Sequence, residues 1–156
     1  MAEQVIKPQT TKADRAWRLP TALELISLVN FDQPILAEWL RSQGFTNVKS
    51  GIYWSSTSYA KDTSYAWIVD MNDDFIDTFY KFCSYYVWPM RSVKQEPMDC
   101  VKCNILIRNS GVRFVDTGNE TIIDTHTDLE WMKDAGAVDE MTYHSALDYV
   151  AGLNKK

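Results

Sequence analysis

A strand–turn–strand pattern near the end of the chain places the strongest constraint on its fold. The segment from Arg113 to Asp134 has the sequence RFVDTGNETIIDTHTDLEWMKD. Two short alternating runs are joined at Gly118 and Asn119, residues that favour tight turns. The apolar LEWM after them requires burial, yet the chain ends at Lys156. We therefore expect the packing partners of this segment upstream in the sequence.

Length and composition predict one globular domain with a sizeable core. The chain has 156 residues, 46% hydrophobic and 24% charged, which is ordinary for such a domain. A net charge of −5 disfavours nucleic-acid binding, which needs a basic surface. No apolar run approaches the roughly 20 residues of a membrane span. The first residues lack the apolar core of a secretory signal, so at face value the chain is cytoplasmic or lacks a leader.

Three helices are expected. Thr21 followed by Glu24 has the capping-box spacing and predicts a helix start. Pro34 predicts the first turn of a second helix that ends before Gly44. Thr142 is the expected cap of a third helix near the end of the chain. The inward positions of this third helix are expected to be Ala146, Leu147 and Val150.

Between the second and third helices the hydrophobic period changes to two. Residues 51–59, 65–71, 75–82 and 85–92 predict an antiparallel meander with strongly aromatic strands. Pro89 predicts an edge or a bulge in the last of them. One face of the second strand carries Tyr65, Trp67, Val69 and Met71, and the opposite face carries Ala66, Ile68 and Asp70.

Two blocks of the chain resemble one bacterial family, the Lcl C-terminal domain family, named after the C-terminal domain of a collagen-like adhesin. The first block contains WRLPT at Trp17–Thr21, YWSST at Tyr53–Thr57 and a closing YVWPMR. The second contains RFVD at Arg113–Asp116 and LEWMKD at Leu129–Asp134, followed by a helix with Ala146, Leu147 and Tyr149. In the family, the motifs of this second block come first.

The resemblance implies an α+β, C-type-lectin-like fold, similar to sulfatase-modifying factors. It has a twisted antiparallel sheet with two or three flanking helices, and its first and last strands lie side by side. The reversed order implies circular permutation, which termini close in space permit. Residues 1–12 are then a flexible arm, 13–92 the C-terminal half of the family domain, 93–109 a linker and 110–156 the N-terminal half. The alternatives are a homodimer formed by exchange of halves and a window cut across two tandem copies.

Function is expected to lie in the loops, because the family's fold resembles lectin-like folds that bind through loops at one end of the sheet. The corresponding regions are Tyr59–Ser64, Asn72–Asp74 and Lys81–Tyr86. Tyr59, Tyr85 and Tyr86 in these regions, with the adjoining Tyr65, could stack on sugar faces or form a protein-binding patch. The hypothesis is a non-enzymatic, adhesin-like binding module for a surface glycan or protein, at the cell surface, in the periplasm or secreted. The rival is a structural or assembly domain of a surface or phage particle. The candidate ligand-binding residues are Tyr59, Asp62, Tyr65, Asn72, Asp73, Asp74, Tyr85 and Tyr86.

No cofactor is expected, although the acidic run DMNDDFID leaves a loose Ca²⁺ site open at Asp70, Asn72, Asp73 and Asp74. It is not an EF-hand, because Phe75 stands where the loop needs Gly and Lys81 stands where it needs Glu.

The cysteines and histidines do not indicate an enzyme. Cys100 and Cys103 form a lone C-x-x-C, for which a local disulfide or two free thiols are favoured over zinc. His126 and His144 are expected at the surface. There is no Gly-x-Ser-x-Gly elbow, and Cys83 alone does not reproduce the active-site cysteines of formylglycine-generating enzymes.

The two central motifs are interpreted as structural. WRLPT should pack Trp17 and Leu19 under the sheet, with Arg18 paired to a carboxylate or to carbonyls. The hydroxyls of YWSST should satisfy backbone groups at a strand end. The residues assigned to structural roles are Trp17, Arg18, Leu19, Pro20, Thr21, Trp54, Ser55, Ser56, Trp67 and Trp131.

Overall fold

The computed structural model describes residues 15–73, 75–93 and 111–155, which form helices and antiparallel sheets, so the α+β class is confirmed. The arm expected at 1–12, nearly all of the expected linker, and Asp74, Cys100 and Cys103 lie outside this part. The helices are α1 (Ala22–Ile26), α2 (Leu36–Ser42) and α3 (Tyr143–Leu153). The strands are β1 (Ile52–Ser58), β2 (Tyr65–Asp70), β3 (Phe75–Tyr80), β4 (Ser84–Tyr85), β5 (Met90–Ser92), β6 (Phe114–Asp116), β7 (Thr121–Asp124), β8 (Leu129–Met132) and β9 (Met141–Thr142).

In the described residues the strands form three sheets, with orders β1-β2-β3, β4-β9 and β5-β8-β7-β6. The expectation of a single sheet is wrong in this respect. The run predicted as one strand over 85–92 is divided into β4 and β5 by the stretch that contains Pro89, which has no N–H for a ladder. Pro89 still accepts a hydrogen bond from the N–H of Met132 at 3.0 Å.

The β1-β2-β3 meander packs on both faces, as its alternation predicts. Val69 and Met71 belong to a first core cluster, whereas Ala66 and Ile68 on the opposite face belong to a second. Adjacent residues of β2 therefore enter different cores, because successive side chains of a strand point to opposite faces.

The first core cluster joins the two chain segments that precede and follow residues 94–110. Phe45 and Trp88 come from the first segment, and Phe114 and Trp131 from the second. Edge-to-face contacts connect them, with ring centroids 5.1 Å apart for Phe45–Trp88, 5.2 Å for Phe45–Phe114 and 5.5 Å for Trp88–Trp131. Such pairs contribute roughly 0.5–1.5 kcal/mol each beyond area burial. The buried LEWM segment therefore has its partners upstream.

The first and last strands of the family order are not neighbours. β5 pairs with β8, and β6 lies at the opposite edge of the four-stranded sheet. Of the two outer strands of the β6-β7-β8 meander, it is β8 that pairs with β5 in the described residues. The expected adjacency of these strands is wrong.

Helix boundaries follow local chemistry with one exception. The Thr21–Glu24 capping box is confirmed, as is the Thr142 cap, whose side chain accepts from the backbone N–H of the third helical residue. Gly44 follows α2 with φ +102°, as expected of a C-terminal cap.

The start of α2 at Pro34 is wrong. Ile35 is extended, at φ −137° and ψ 97°, so the helix begins at Leu36. Leu147 is also wrong as an inward residue, because it is 37% exposed while Ala146 and Val150 are buried. It lies about 100° around the axis from Ala146, at the margin of the buried stripe. None of the helices in the described ranges is long and apolar enough to cross a membrane.

Candidate ligand-binding site

Three aromatic side chains, one half-buried and two exposed, form a continuous row at one end of the β1-β2-β3 sheet. The antiparallel register places Tyr65 opposite Tyr80, with ring centroids 3.8 Å apart. Phe82 then stacks on Tyr80 at 4.9 Å with an interplanar angle of 22°. Tyr80 is 42% exposed and Phe82 is 73% exposed. We call Tyr65, Tyr80 and Phe82 the aromatic row.

The two tyrosines of the row are held against each other by ring packing and by their opposed positions on β2 and β3. Interaction with the side chain of Tyr80 raises the pKa of Tyr65 to about 12, with smaller contributions from burial and from the negative charges of Tyr80 and Asp62. Tyrosine has few rotatable bonds, so a row fixed in this way offers contact area at low conformational cost.

A cleft opens beside the row, and Phe82 belongs to both. Its volume is about 450 Å³, within the roughly 300–1,000 Å³ of small-molecule sites. Three elements supply its walls: the β1–β2 loop, the turn after β3, and the start of α3. The lining residues are Thr63, Ser64, Lys81, Phe82, Thr142 and His144.

Lys81 joins the three walls of the cleft. Its N–H donates to Ser64 O at 2.9 Å, and its carbonyl accepts from Tyr143 N at 3.1 Å. Its ammonium donates to Ser58 Oγ at 2.7 Å and lies 4.6 Å from the centroid of the Tyr143 ring. The lysine therefore links a loop, a turn and a helix from both chain segments.

Of the residues predicted from sequence, the structure brings Tyr65 into the row and Asp62 and Tyr59 near it. Asp62 Oδ1 accepts the Ser64 N–H at 2.9 Å, which shapes the cleft loop. Tyr59 packs edge-on against Trp67 at 6.0 Å, and its N–H donates to Tyr65 O.

Tyr85 and Tyr86 are half-buried against core side chains and are not part of the row. Tyr85 packs on Trp54 at 5.0 Å, and Tyr86 on Tyr53 at 5.5 Å. Burial, followed by the charge and hydrogen bond of Glu140, raises the pKa of Tyr86.

The tip of the β2–β3 hairpin is another separate region. Asp70 Oδ1 accepts the Asn72 N–H at 2.8 Å, and Asn72 Nδ2 donates to Asp73 Oδ1 at 2.6 Å. Both pairs are local turn contacts. Within the described ranges, no group of three or more His, Cys, Asp or Glu is placed to hold a metal ion.

The WRLPT segment is tied to several elements. The Arg18 guanidinium forms an ion pair with Glu24 at 2.6 Å, and Leu19 is buried in the second cluster. Trp17 does not pack under a sheet: it is half-buried, with the Arg91 guanidinium 4.4 Å from its ring centroid. The face of the indole ring attracts the guanidinium, which favours this stacking over burial.

The YWSST hydroxyls and indoles mostly bond to backbone. Ser55 Oγ donates to Trp67 O at 2.7 Å, and the Ser56 N–H donates to Pro20 O at 2.7 Å. Trp54 Nε1 donates to Met141 O at 2.9 Å. Trp131 is buried, and its Nε1 has no hydrogen-bond partner among the described residues.

Sequence reasoning included the Lys81–Tyr86 turn but missed Tyr80, Phe82 and His144 as site residues. The signal for the row was present. A turn centred on residues 72–73 pairs residues whose numbers sum to 145, so Tyr65 meets Tyr80. His144 had no such signal, because the position of α3 depends on tertiary packing. It is exposed, with its ring 5.7 Å from that of Tyr143.

Comparison with known proteins gives one match. The model of the Lcl C-terminal domain matches residues 2–91, more than half of the chain and the segment that carries WRLPT, YWSST and the aromatic row. No curated protein and no solved structure matches.

Proposed function

The chain belongs to the Lcl C-terminal domain family, and from this premise we propose that it is a non-enzymatic binding module for a surface glycan. The contact surface is the aromatic row together with the adjoining cleft. Aromatic side chains present a flat apolar face to a ligand and are enriched where recognition energy is concentrated.

The exposure and order of the row are the observation that carries this proposal. Large apolar side chains of this kind normally contribute to a core, yet Phe82 is 73% exposed and stacked rather than loose. The rings lead directly into a cleft with hydroxyl and imidazole groups. An apolar platform next to a few polar groups is the usual composition of a small-ligand site.

The surroundings of His144 support a binding role over catalysis. A catalytic imidazole is normally within hydrogen-bond reach of the group that it activates. In the described residues, the contact recorded for the His144 ring is with Tyr143, and Cys83 lies outside the cleft lining.

A glycan array tests the proposal. We expect the intact chain to bind specific glycans and Tyr80→Ala to lose that binding. Phe31→Ala is the matched control, since Phe31 is 70% exposed but outside the row and the cleft lining. If no glycan binds, or if both variants behave alike, the proposal is wrong. A stable oligomer with the row buried between subunits would favour the assembly role instead.

We further propose that the domain is a permuted, C-type-lectin-like unit. Asn154, just after α3, forms two hydrogen bonds with the backbone of Trp17. Asn154 Oδ1 accepts from Trp17 N at 2.7 Å, and Asn154 Nδ2 donates to Trp17 O at 2.9 Å. The end of the second segment therefore adjoins the start of the first, as the family order requires. β5 and β6 are about 14 Å apart, three strand spacings of about 4.8 Å. A Gly-rich coil of 17 residues, the length of the expected linker (93–109), would span about 23 Å, which is enough for this separation.

A reordered protein tests the permutation. Residues 111–155 are placed before residues 15–93 with a short Gly-Ser joint between Lys155 and Arg15. We expect the same near-UV circular dichroism and cooperative unfolding as in the original chain. Loss of both would show that the original order is required.

A further inference from the structure

The charges and contacts in the cleft indicate which class of sugar fits. The cleft contains one lysine, and its ammonium is already engaged. Lys81 Nζ donates to Ser58 Oγ at 2.7 Å and lies over the Tyr143 ring. An anionic ligand would have to draw the ammonium away from both partners.

Two backbone N–H groups at the start of α3 also have hydrogen-bond partners within the protein. The Tyr143 N–H donates to Lys81 O, and the Ser145 N–H is capped by Thr142 Oγ1. The positive end of a helix attracts anions through such free N–H groups, so their use within the protein weakens that attraction. Asp62, exposed on the cleft loop, and a net charge of −5 add repulsion.

The remaining polar groups suit hydroxyls. Within the described residues, the side-chain hydroxyls of Thr63 and Ser64 have no protein hydrogen-bond partner. Hydroxyl and imidazole groups both donate and accept, which matches a ligand whose own groups do the same. Phe82 stacks on Tyr80 with one face, and its exposed ring supplies a flat, electron-rich face to which the polarised C–H groups of a pyranose are attracted.

From this geometry we propose that the cleft takes a neutral pyranose, the terminal sugar of a glycan. Its apolar face lies on the outer face of the Phe82 ring, which Tyr80 supports from behind, and its hydroxyls meet Thr63, Ser64 and His144. Lys81 is a positioning residue that holds the walls together and does not bind the ligand. The inference rests on the proposed glycan-binding function and adds the ligand class.

Two matched probes test it on the intact chain: methyl β-D-glucopyranoside and the corresponding glucuronide, which differ only at carbon six. Saturation-transfer NMR and titration at low and high salt are the measurements. We expect the glucoside to bind about tenfold more tightly than the glucuronide, about 1.4 kcal/mol, with little salt dependence. Phe82→Ala should weaken glucoside binding about tenfold.

Lys81→Met separates the two roles of this lysine. We expect it to lower thermal stability and to leave the salt dependence of glucoside binding unchanged, because the ammonium does not bind the ligand. Tighter, salt-sensitive binding of the glucuronide overturns the inference without reference to any variant. If neither array variant loses glycan binding and neither probe gives a response, the glycan proposal itself is wrong. If the array gives a row-dependent glycan that is acidic, only the ligand class is wrong.

Discussion

The buried ion pair between Arg113 and Asp124 should control the stability of the domain. Asp124 is fully buried and accepts from Arg113 Nε at 3.1 Å and Nη2 at 2.8 Å, and from the His126 N–H at 3.0 Å. Arg113 also donates to the carbonyl of Ser27, which joins the β6–β7 hairpin to the end of α1. Asp124→Ala would leave this guanidinium in the interior without its counter-charge.

The magnitude follows from burial. Removal of one partner of a buried pair costs about 3–5 kcal/mol. The Arg113 side chain is 22% exposed, so water relieves part of the penalty and about 3 kcal/mol is expected. For a chain of this size that lowers Tm by about 6–12 °C.

Thermal unfolding followed by circular dichroism measures this loss, and a double variant refines it. Arg113→Met together with Asp124→Ala should recover much of the loss, because no unpaired charge remains. Asp116→Ala, which breaks the exposed Lys133–Asp116 pair, is the control and should leave Tm nearly unchanged. An Asp124→Ala loss below about 1 kcal/mol would refute the reasoning, as it would mean that the pair is hydrated.

Further results are expected for other parts of the molecule. Gly136→Ala should destabilise the protein by about 1–3 kcal/mol, because the added Cβ would lie 2.5 Å from the Asn47 carbonyl oxygen. Gly152→Ala in α3 should stabilise it by about 0.5–1 kcal/mol, because the added Cβ meets no atom within 4 Å. Urea unfolding measures both changes. Burial raises the pKa of Glu24, but its interactions with Arg18 and Thr21 outweigh burial and lower the pKa. The stabilisation by this carboxylate is therefore present above its ordinary pKa and is lost as pH falls through the lowered pKa. Acid unfolding of Glu24→Gln should lack this component. Ultraviolet titration of the tyrosines should show Tyr65 ionising near 12, and Tyr80→Phe should lower that value. Residues 1–92 alone should not unfold cooperatively, since the first core cluster would lose its second-segment side chains. Light scattering of the whole chain should give a monomer mass, whereas a dimer mass would indicate exchange of halves between chains.

The fold was largely predictable where one local rule decided the outcome. The Thr21–Glu24 spacing fixed a helix start, and alternation over Tyr65–Met71 fixed which side chains enter which core. The prediction of a helix start at Pro34 was wrong because Ile35 is extended, whatever the preference of proline for a first helical turn. The prediction of strand order was wrong because strand order depends on how hairpins pack together, and hydrophobic periodicity does not encode this.

The site was predictable in part for the same reason. Tyr65 was named because aromatic residues near loops favour recognition, and hairpin register would have added Tyr80. Tyr85 and Tyr86 carried the same signal, yet they pack against Trp54 and Tyr53. Aromatic residues serve cores and surfaces equally well, so composition alone does not separate these roles.

The most direct test of the account maps where a ligand binds. Backbone NMR spectra of the intact chain are recorded during titration with the strongest glycan from the array. The account predicts that shifts concentrate at Ser64, Tyr65, Tyr80, Phe82 and His144. Shifts confined to Asn72–Asp73 or to the surroundings of Tyr86 would contradict it.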